Sequence, residues 1–196
     1  MIPTIILASG YHPWSSHHIS IGPVSSKDDH YRNLLFSDSS PTPEHLAAFD
    51  KLLPSLPDPI SLGTVLSELR SNLEAFPQAM LGEVGLDRAC RIPYDYNALS
   101  RELSPFSVPF DHQIVVLTSQ LDLAVQLSRN VSIHSVKSQR ATVDLFTQMK
   151  AKHGEKWTRI NVDMHSCSVS PETWRDLEAW RHHSQRNVQR SPPPSL

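Results

Sequence analysis

The sequence predicts an α/β fold built on a parallel sheet, and three observations carry that reading. Short apolar or β-branched runs at residues 4–9, 81–87, 131–134 and 159–165 read as strands. Segments whose apolar residues recur at helical spacing separate them, which is the strand–helix–strand rhythm of α/β domains. Each run delivers a residue able to do chemistry at or near its C-terminal end, namely His12, Glu83, His134 and His165. In a parallel sheet those ends converge on one edge, where ligands and catalytic groups collect.

Residues 4–9 read as a buried strand ending at Ser9-Gly10, with Tyr11-His12-Pro13-Trp14 directly after it. Read locally, His12 is a loop histidine fixed by the following proline. Residues 15–42 mix Ser, His, Asp and Pro without periodicity and read as a long loop. With the prolines at 54, 57 and 59 they make about 15–59 a loop or insertion, interrupted by one short helix. Thr42 caps that helix, Pro43 takes its first position, and Leu46, Ala47, Phe49, Leu52 and Leu53 form its apolar face.

A second helix follows Ser61, with Leu62, Val65, Leu66, Leu69, Leu73 and Phe76 facing inward. The run Leu81-Gly82-Glu83-Val84-Gly85-Leu86-Asp87 reads as a strand that stops at Glu83, then a glycine-bearing turn and a second carboxylate. A solvated strand-end acid is the bland account of Glu83, and a turn former the bland account of Asp87. Residues 88–110 read as an irregular loop, and Asp111 as the cap of a helix running to about Arg129. Ile114, Leu117, Leu121, Ala124 and Leu127 are its buried side; Gln113 and Gln120 also lie in this helix, and a solvated polar position is the bland account of either. A strand ending at His134, a helix over about 138–152 closed by Gly154, and a strand ending at His165 complete the pattern. A helix start recurs at Ser170-Pro171-Glu172, leading to Trp174, Leu177 and Trp180.

The chain has 196 residues, 39% hydrophobic and 19% charged, enough for one domain with a real core over 1–181. It is short for an eight-stranded α/β barrel, which takes about 250 residues. Sixteen prolines against six glycines imply long, rigid connections. Residues 182–196 are polar and then proline-rich and are expected to be disordered. A net charge of −2 excludes a basic surface that grips nucleic acid through phosphates alone, so a bound metal would have to add positive charge. Two cysteines, Cys90 and Cys167, form no disulfide framework and fit a reducing compartment. The first eight residues read as neither signal peptide nor membrane anchor, so a cytoplasmic or nuclear location is expected.

Three imidazoles and one carboxylate at a single sheet edge suit zinc or a similar divalent ion, and metal-assisted hydrolysis is the reaction class that follows. Gly10-Tyr11-His12-Pro13-Trp14, Gly82-Glu83-Val84-Gly85-Leu86-Asp87, Gln120-Leu121 with Val131-Ser132-Ile133-His134-Ser135, and Met164-His165-Ser166 resemble, in order and spacing, the TatD family of metal-dependent hydrolases and deoxyribonucleases. Within it, Ser132-Ile133-His134-Ser135-Val136-Lys137 is similar to fungal members described as interactors of an anaphase-promoting-complex subunit.

The resemblance implies an incomplete TIM-type (β/α) barrel, roughly strands two to five of eight, with two sheet edges left open. It implies that Glu83 bridges two ions and that His134 and His165 hold one of them. His12 would position substrate phosphate or water, and Asp87 would sit in the same mouth as a supporting or substrate contact. The family's His-x-His strand and its late aspartate have no counterpart here, so one divalent ion (Zn, Mg or Mn) is expected rather than two. DNA or another phosphoester is the implied substrate, and a cell-cycle complex subunit the implied protein partner. A non-catalytic interaction protein on the same scaffold is the alternative.

Overall fold

The computed structural model describes residues 6–37 and 40–165, together with Glu172 and Arg175. In chain order it contains β1 (Ala8–Ser9), a 3-10 turn (Pro13–His18), β2 (Ile19–Ser20), α1 (Lys27–Leu35), α2 (Pro43–Leu52), β3 (Ile60–Ser61), α3 (Leu62–Ala75) and β4 (Met80–Asp87). Then come α4 (Phe110–Leu127), β5 (Val131–Val136), α5 (Gln139–His153), α6 (Glu155–Thr158) and β6 (Val162–His165). Four strands form one parallel sheet in the order β1-β4-β5-β6, so their C-terminal ends share an edge as expected. Strands β2 and β3 pair separately, also in parallel. Apart from Glu172 and Arg175, the helix expected from Ser170 lies outside the described residues, as does the tail 182–196.

Apolar residues of α3, α4 and α5 cover one face of the sheet. Leu69, Leu73, Leu81, Val84, Leu86, Leu117, Leu121 and Ile133 form the fully buried centre of that core. Serine caps and apolar spacing explain α3, where Ser61 Oγ accepts the Thr64 amide at 3.0 Å and Val65, Leu69 and Leu73 face inward. Phe76, expected to face inward as well, is exposed just past the helix end.

Several expectations are corrected. The first strand is not buried along its described length, since Ile6 is 61% and Leu7 53% exposed. It is an edge strand of the described sheet, paired only with β4. The glycine turn after Glu83 does not form. Strand β4 continues through Gly85 to Asp87, with Gly85 paired to His134. A Cβ on Gly85 would lie 1.9 Å from the His134 carbonyl oxygen, so the two strands approach this closely only because the residue is glycine. Asp111 sits in the first turn of α4, and Pro109 rather than Asp111 is the cap.

The stretch 15–59 is not a plain insertion loop. It contains α1, capped by Ser26 Oγ accepting the Asp29 amide at 3.0 Å, with Asp28 and Asp29 in the first turn. Only His30 and Tyr31 of α1 are buried, so the helix has too little apolar periodicity to be found that way. Tyr31 joins Phe49, Leu52, Leu56, Ile92, Phe106 and Val108 in a second apolar cluster, which ties 27–56 to the loop 88–109.

Between the two clusters lie four histidines. His30 Nε2 donates to the His17 carbonyl and His112 Nε2 to the Ser16 carbonyl, both at 2.8 Å, while His17 and His18 stack edge to face with ring centroids 4.1 Å apart. Burial, reinforced by the neighbouring imidazoles His18, His112 and His30, pushes His17 down to about 2. Burial, with His30 beside it, lowers His18 to about 4, and burial also lowers His112. A histidine depressed in the folded state binds fewer protons folded than unfolded, so its contribution is complete above about pH 6.5 and is lost as pH falls toward the folded value. The melting temperature should therefore fall between pH 7.5 and 5, with His17 alone contributing up to about 1.4 kcal/mol per pH unit below 6.5. Replacing His17 by Leu should flatten that slope in calorimetry, and an unchanged slope would refute the assignment.

Candidate metal centre

Residues Leu81 and Glu83 are two apart, so an unbroken strand would send both side chains to the same face. Instead, Leu81 pairs with Val131 and Val84 with Ile133, which sets three residues of β4 against two of β5. This bulge keeps Leu81 and Val84 in the core and turns Glu83 to the open face, where it is 55% exposed. On β5 and β6, His134 and His165 are register partners on that same face.

The four expected residues meet there. His165 Nε2 lies 2.9 Å from Glu83 Oε1, His12 Nε2 lies 3.7 Å from Glu83 Oε2, and the His12 and His134 rings are 4.4 Å apart. One ligand atom from each of His12, Glu83 and His134 falls within a 4.8 Å cluster. His165 Nε2 is buried and has no hydrogen-bond partner among the described residues, although the Glu83 oxygen is so near. The two atoms are close but not aligned for donation. Imidazole and carboxylate form a donor set that fits a divalent ion, zinc among others.

Hydrogen bonding sorts the three imidazoles into different roles. His12 Nδ1 accepts the Trp14 amide at 3.2 Å, so the neutral ring carries its proton on Nε2 and turns a donor toward the site. Burial lowers His12 to about 4, helped by His134 and opposed by Glu83 and Asp87, so the ring is neutral at pH 7. A neutral N–H donor suits an anionic oxygen or water and is no cation ligand. His165 Nδ1 contacts Ser132 Oγ at 2.9 Å, which accounts for that nitrogen and frees Nε2. His134 Nε2 lies 3.0 Å from Asp87 Oδ2, leaving Nδ1 as the lone-pair nitrogen when that carboxylate accepts. By hydrogen bonding, Glu83, His134 and His165 could each offer a lone pair to an ion with His12 beside them as a donor, whereas by distance alone the group among the described residues whose ligand atoms lie within 4.8 Å of one another is His12, Glu83 and His134.

Asp87 is 4% exposed. Its Oδ2 also accepts Trp14 Nε1–H at 2.7 Å, and its Oδ1 accepts the Ala89 and Cys90 amides at 2.7 and 3.0 Å. Burial opposes its ionisation, but the hydrogen bonds from Trp14, His134 and the two amides outweigh it and hold the carboxyl below its usual value. Asp87 therefore forms the turn and orients His134, with both oxygens engaged.

Gln113 and Gln120, for which a solvated position was the bland account, are both buried and tie segments of the site together. Gln113 Oε1 accepts the Asp87 amide at 2.8 Å, while its Nε2 donates to the Asp87 and Val108 carbonyls. Gln120 Oε1 accepts the Tyr11 amide at 2.8 Å and its Nε2 donates to the Tyr11 carbonyl at 3.2 Å. Their spacing of seven residues, in line with Leu117 and Leu121, was the signal that both face inward. Ser132 and Trp14 carried no comparable signal, because their roles depend on contacts across strands.

A parallel sheet that gathers imidazoles and one carboxylate at its C-terminal edge defines an α/β protein of the barrel type with a candidate metal centre. The profile of the family described as TatD related DNase matches residues 2–180, and the chain belongs to that family. The family folds as a TIM barrel, and the described sheet is part of one. The chain is 32% identical over 146 residues to the Cut9-interacting protein scn1 of Schizosaccharomyces pombe, covering 68% of this chain and 41% of the relative. It is 29% identical over 174 residues to the uncharacterized deoxyribonuclease YMR262W of Saccharomyces cerevisiae, covering 86% of this chain and 51% of the relative. The chain thus spans about half the length, or less, of these curated relatives. No solved structure matches it.

Replacing Asp87 by Asn keeps the shape but changes the partner that fixes His134. Calorimetric titration with Zn²⁺ or Mn²⁺ should show affinity reduced about 10- to 100-fold with an unchanged circular dichroism spectrum. Undiminished affinity would remove Asp87 from this role.

Proposed function

We propose that the chain carries out metal-dependent hydrolysis of phosphodiesters, with DNA as the leading substrate and other phosphoesters as the alternatives. The observation that carries this reading is His165 Nε2, without a hydrogen-bond partner among the described residues, 2.9 Å from the Glu83 carboxylate at the edge that also holds His134. Glu83, His134 and His165 are the residues that would hold one divalent ion. When bound, such an ion polarises a phosphoryl oxygen and lowers the pKa of water.

The chain's own groups supply the rest. His12 offers an N–H to an anionic oxygen of the substrate or to water, at a point 3.7 Å from the Glu83 carboxylate. Ser132 and Asp87 hold the rings of His165 and His134 in their tautomers. Arg88 and Lys137 follow β4 and β5 directly and are exposed at the same edge, adding positive charge in a chain whose net charge is −2. The Arg88 guanidinium is held 3.5 Å over the Phe110 ring.

A second reading, a non-catalytic interaction protein, is supported by the printed name of one relative, a Cut9-interacting protein. A protein partner belonging to a cell-cycle complex is proposed under either reading. A cytoplasmic or nuclear location is proposed from the cysteine usage, with two in the whole chain and Cys90 free. No helix of the described residues is long and apolar enough to cross a membrane.

Purified protein assayed on single- and double-stranded DNA with Zn²⁺, Mg²⁺ or Mn²⁺ should hydrolyse it with at least one ion and not in chelator. Glu83→Ala should lower kcat/KM at least about 100-fold, the scale on which loss of a group stabilising developing charge is felt. Hydrolysis insensitive to that substitution would sink the assignment, and partner binding without hydrolysis under every ion would favour the second reading.

A further inference from the structure

We propose that the exposed face of Trp14 is a stacking platform for a nucleobase of the substrate, next to the metal centre. This rests on the phosphodiesterase reading above and adds a residue that recognises the base rather than the phosphate. Trp14 is 45% exposed, and Phe76 is the other exposed Phe or Trp among the described residues. Phe76 precedes β4, at the opposite edge of the sheet from the histidines. A single exposed apolar side chain needs no explanation by itself. What sets Trp14 apart is how it is held and where.

Its indole N–H donates to Asp87 Oδ2 at 2.7 Å, the same oxygen that contacts His134 Nε2 at 3.0 Å. The ring meets His12 edge to face at 5.0 Å between centroids, and His134 at 6.1 Å. Tyr96 donates its hydroxyl to the Trp14 carbonyl at 3.3 Å, which anchors the backbone as well. The polar edge of the indole is therefore saturated inside the site, while much of the residue's surface stays in water. Holding the ring in one orientation costs conformational freedom before any ligand arrives, so less is lost when a flat partner is added.

The geometry also fits the chemistry of the neighbours. His12 offers an N–H for a phosphate oxygen, and the base attached to the adjoining sugar lies within a few ångströms of that phosphate. A platform 5.0 Å from the His12 ring is at the right distance to receive it. Base–aromatic stacking tolerates any sequence because every base has a π-face. Trp14 then serves to recognise strands whose bases are free to stack, without choosing among them.

The test compares binding of two labelled phosphorothioate single strands of equal length, one of thymidines and one of abasic tetrahydrofuran units, by fluorescence anisotropy. Titrations are run with Mg²⁺ and in chelator. The wild-type protein should bind the thymidine strand about 5- to 100-fold more tightly than the abasic strand. Trp14→Ala should bring that ratio close to one, and Trp14→Phe should keep most of it, since the face survives without the N–H. Loss of affinity for both strands in equal proportion, with the ratio intact, would mean that Trp14 acts only through Asp87 and would overturn the platform. Equal wild-type affinity for the two strands would overturn it too, leaving the phosphodiesterase reading in place. Failure of either strand to bind under any condition, together with no DNA hydrolysis, would overturn both.

Discussion

The candidate site depends on one buried carboxylate. Asp87 closes β4, and its two oxygens collect the Trp14 indole, the His134 imidazole and the amides of Ala89 and Cys90. A carboxylate taken out of water loses several kcal/mol of hydration, and only a full set of donors makes its charge tolerable. Those donors come from three different pieces of the site, so satisfying the charge also assembles the pieces. The turn after β4, the 3-10 segment carrying Trp14 and the strand carrying His134 are held to a common point.

Helix α4 keeps that point in place. Gln113 grips the backbone of Asp87 and Gln120 that of Tyr11, the residue before His12. The end of β4 and the segment after β1 are thus fixed at a spacing of two helical turns. The bulge in β4 then decides which side Glu83 faces, and the Gly85 contact lets β5 approach closely enough to bring His134 beside it. Function at this edge is the product of backbone registers, with the side chains set by them.

What the sequence makes legible is the set of strand ends. His12, Glu83, His134 and His165 were readable because parallel strands converge at their C-terminal ends whatever the loops do. The order of the elements, the cap at Thr42 and the buried positions of α3 follow equally from local chemistry, whereas in α4 Leu117, Leu121 and Ala124 are buried as expected, Ile114 and Leu127 are only half-buried, and the burial of His112, Val116, Leu123 and Val125 was not expected. Helix α1 was not legible by periodicity, since its nine residues bury little, although Ser26 three positions before Asp29 marks its start. The turn expected at Gly85 failed because glycine serves there for close packing, a pairwise property that a single strand does not display. Polarity leaves a solvated position open for Gln113 and Gln120, while their alignment with Leu117 and Leu121 points to the buried side they occupy. The separate roles of the three imidazoles depend on Ser132, Trp14 and Asp87, which meet them only across the fold.

The proposed function requires Glu83, His134 and His165 to hold one divalent ion at the sheet edge while His12 stands beside it as a donor. Anomalous diffraction at the zinc edge, from crystals grown with zinc, tests it most directly. The predicted result is a peak at about 2.0–2.2 Å from a Glu83 oxygen and from one nitrogen each of His134 and His165, with His12 further away. A zinc peak elsewhere with none at this edge, or one ligated by His12 in place of His165, would contradict it.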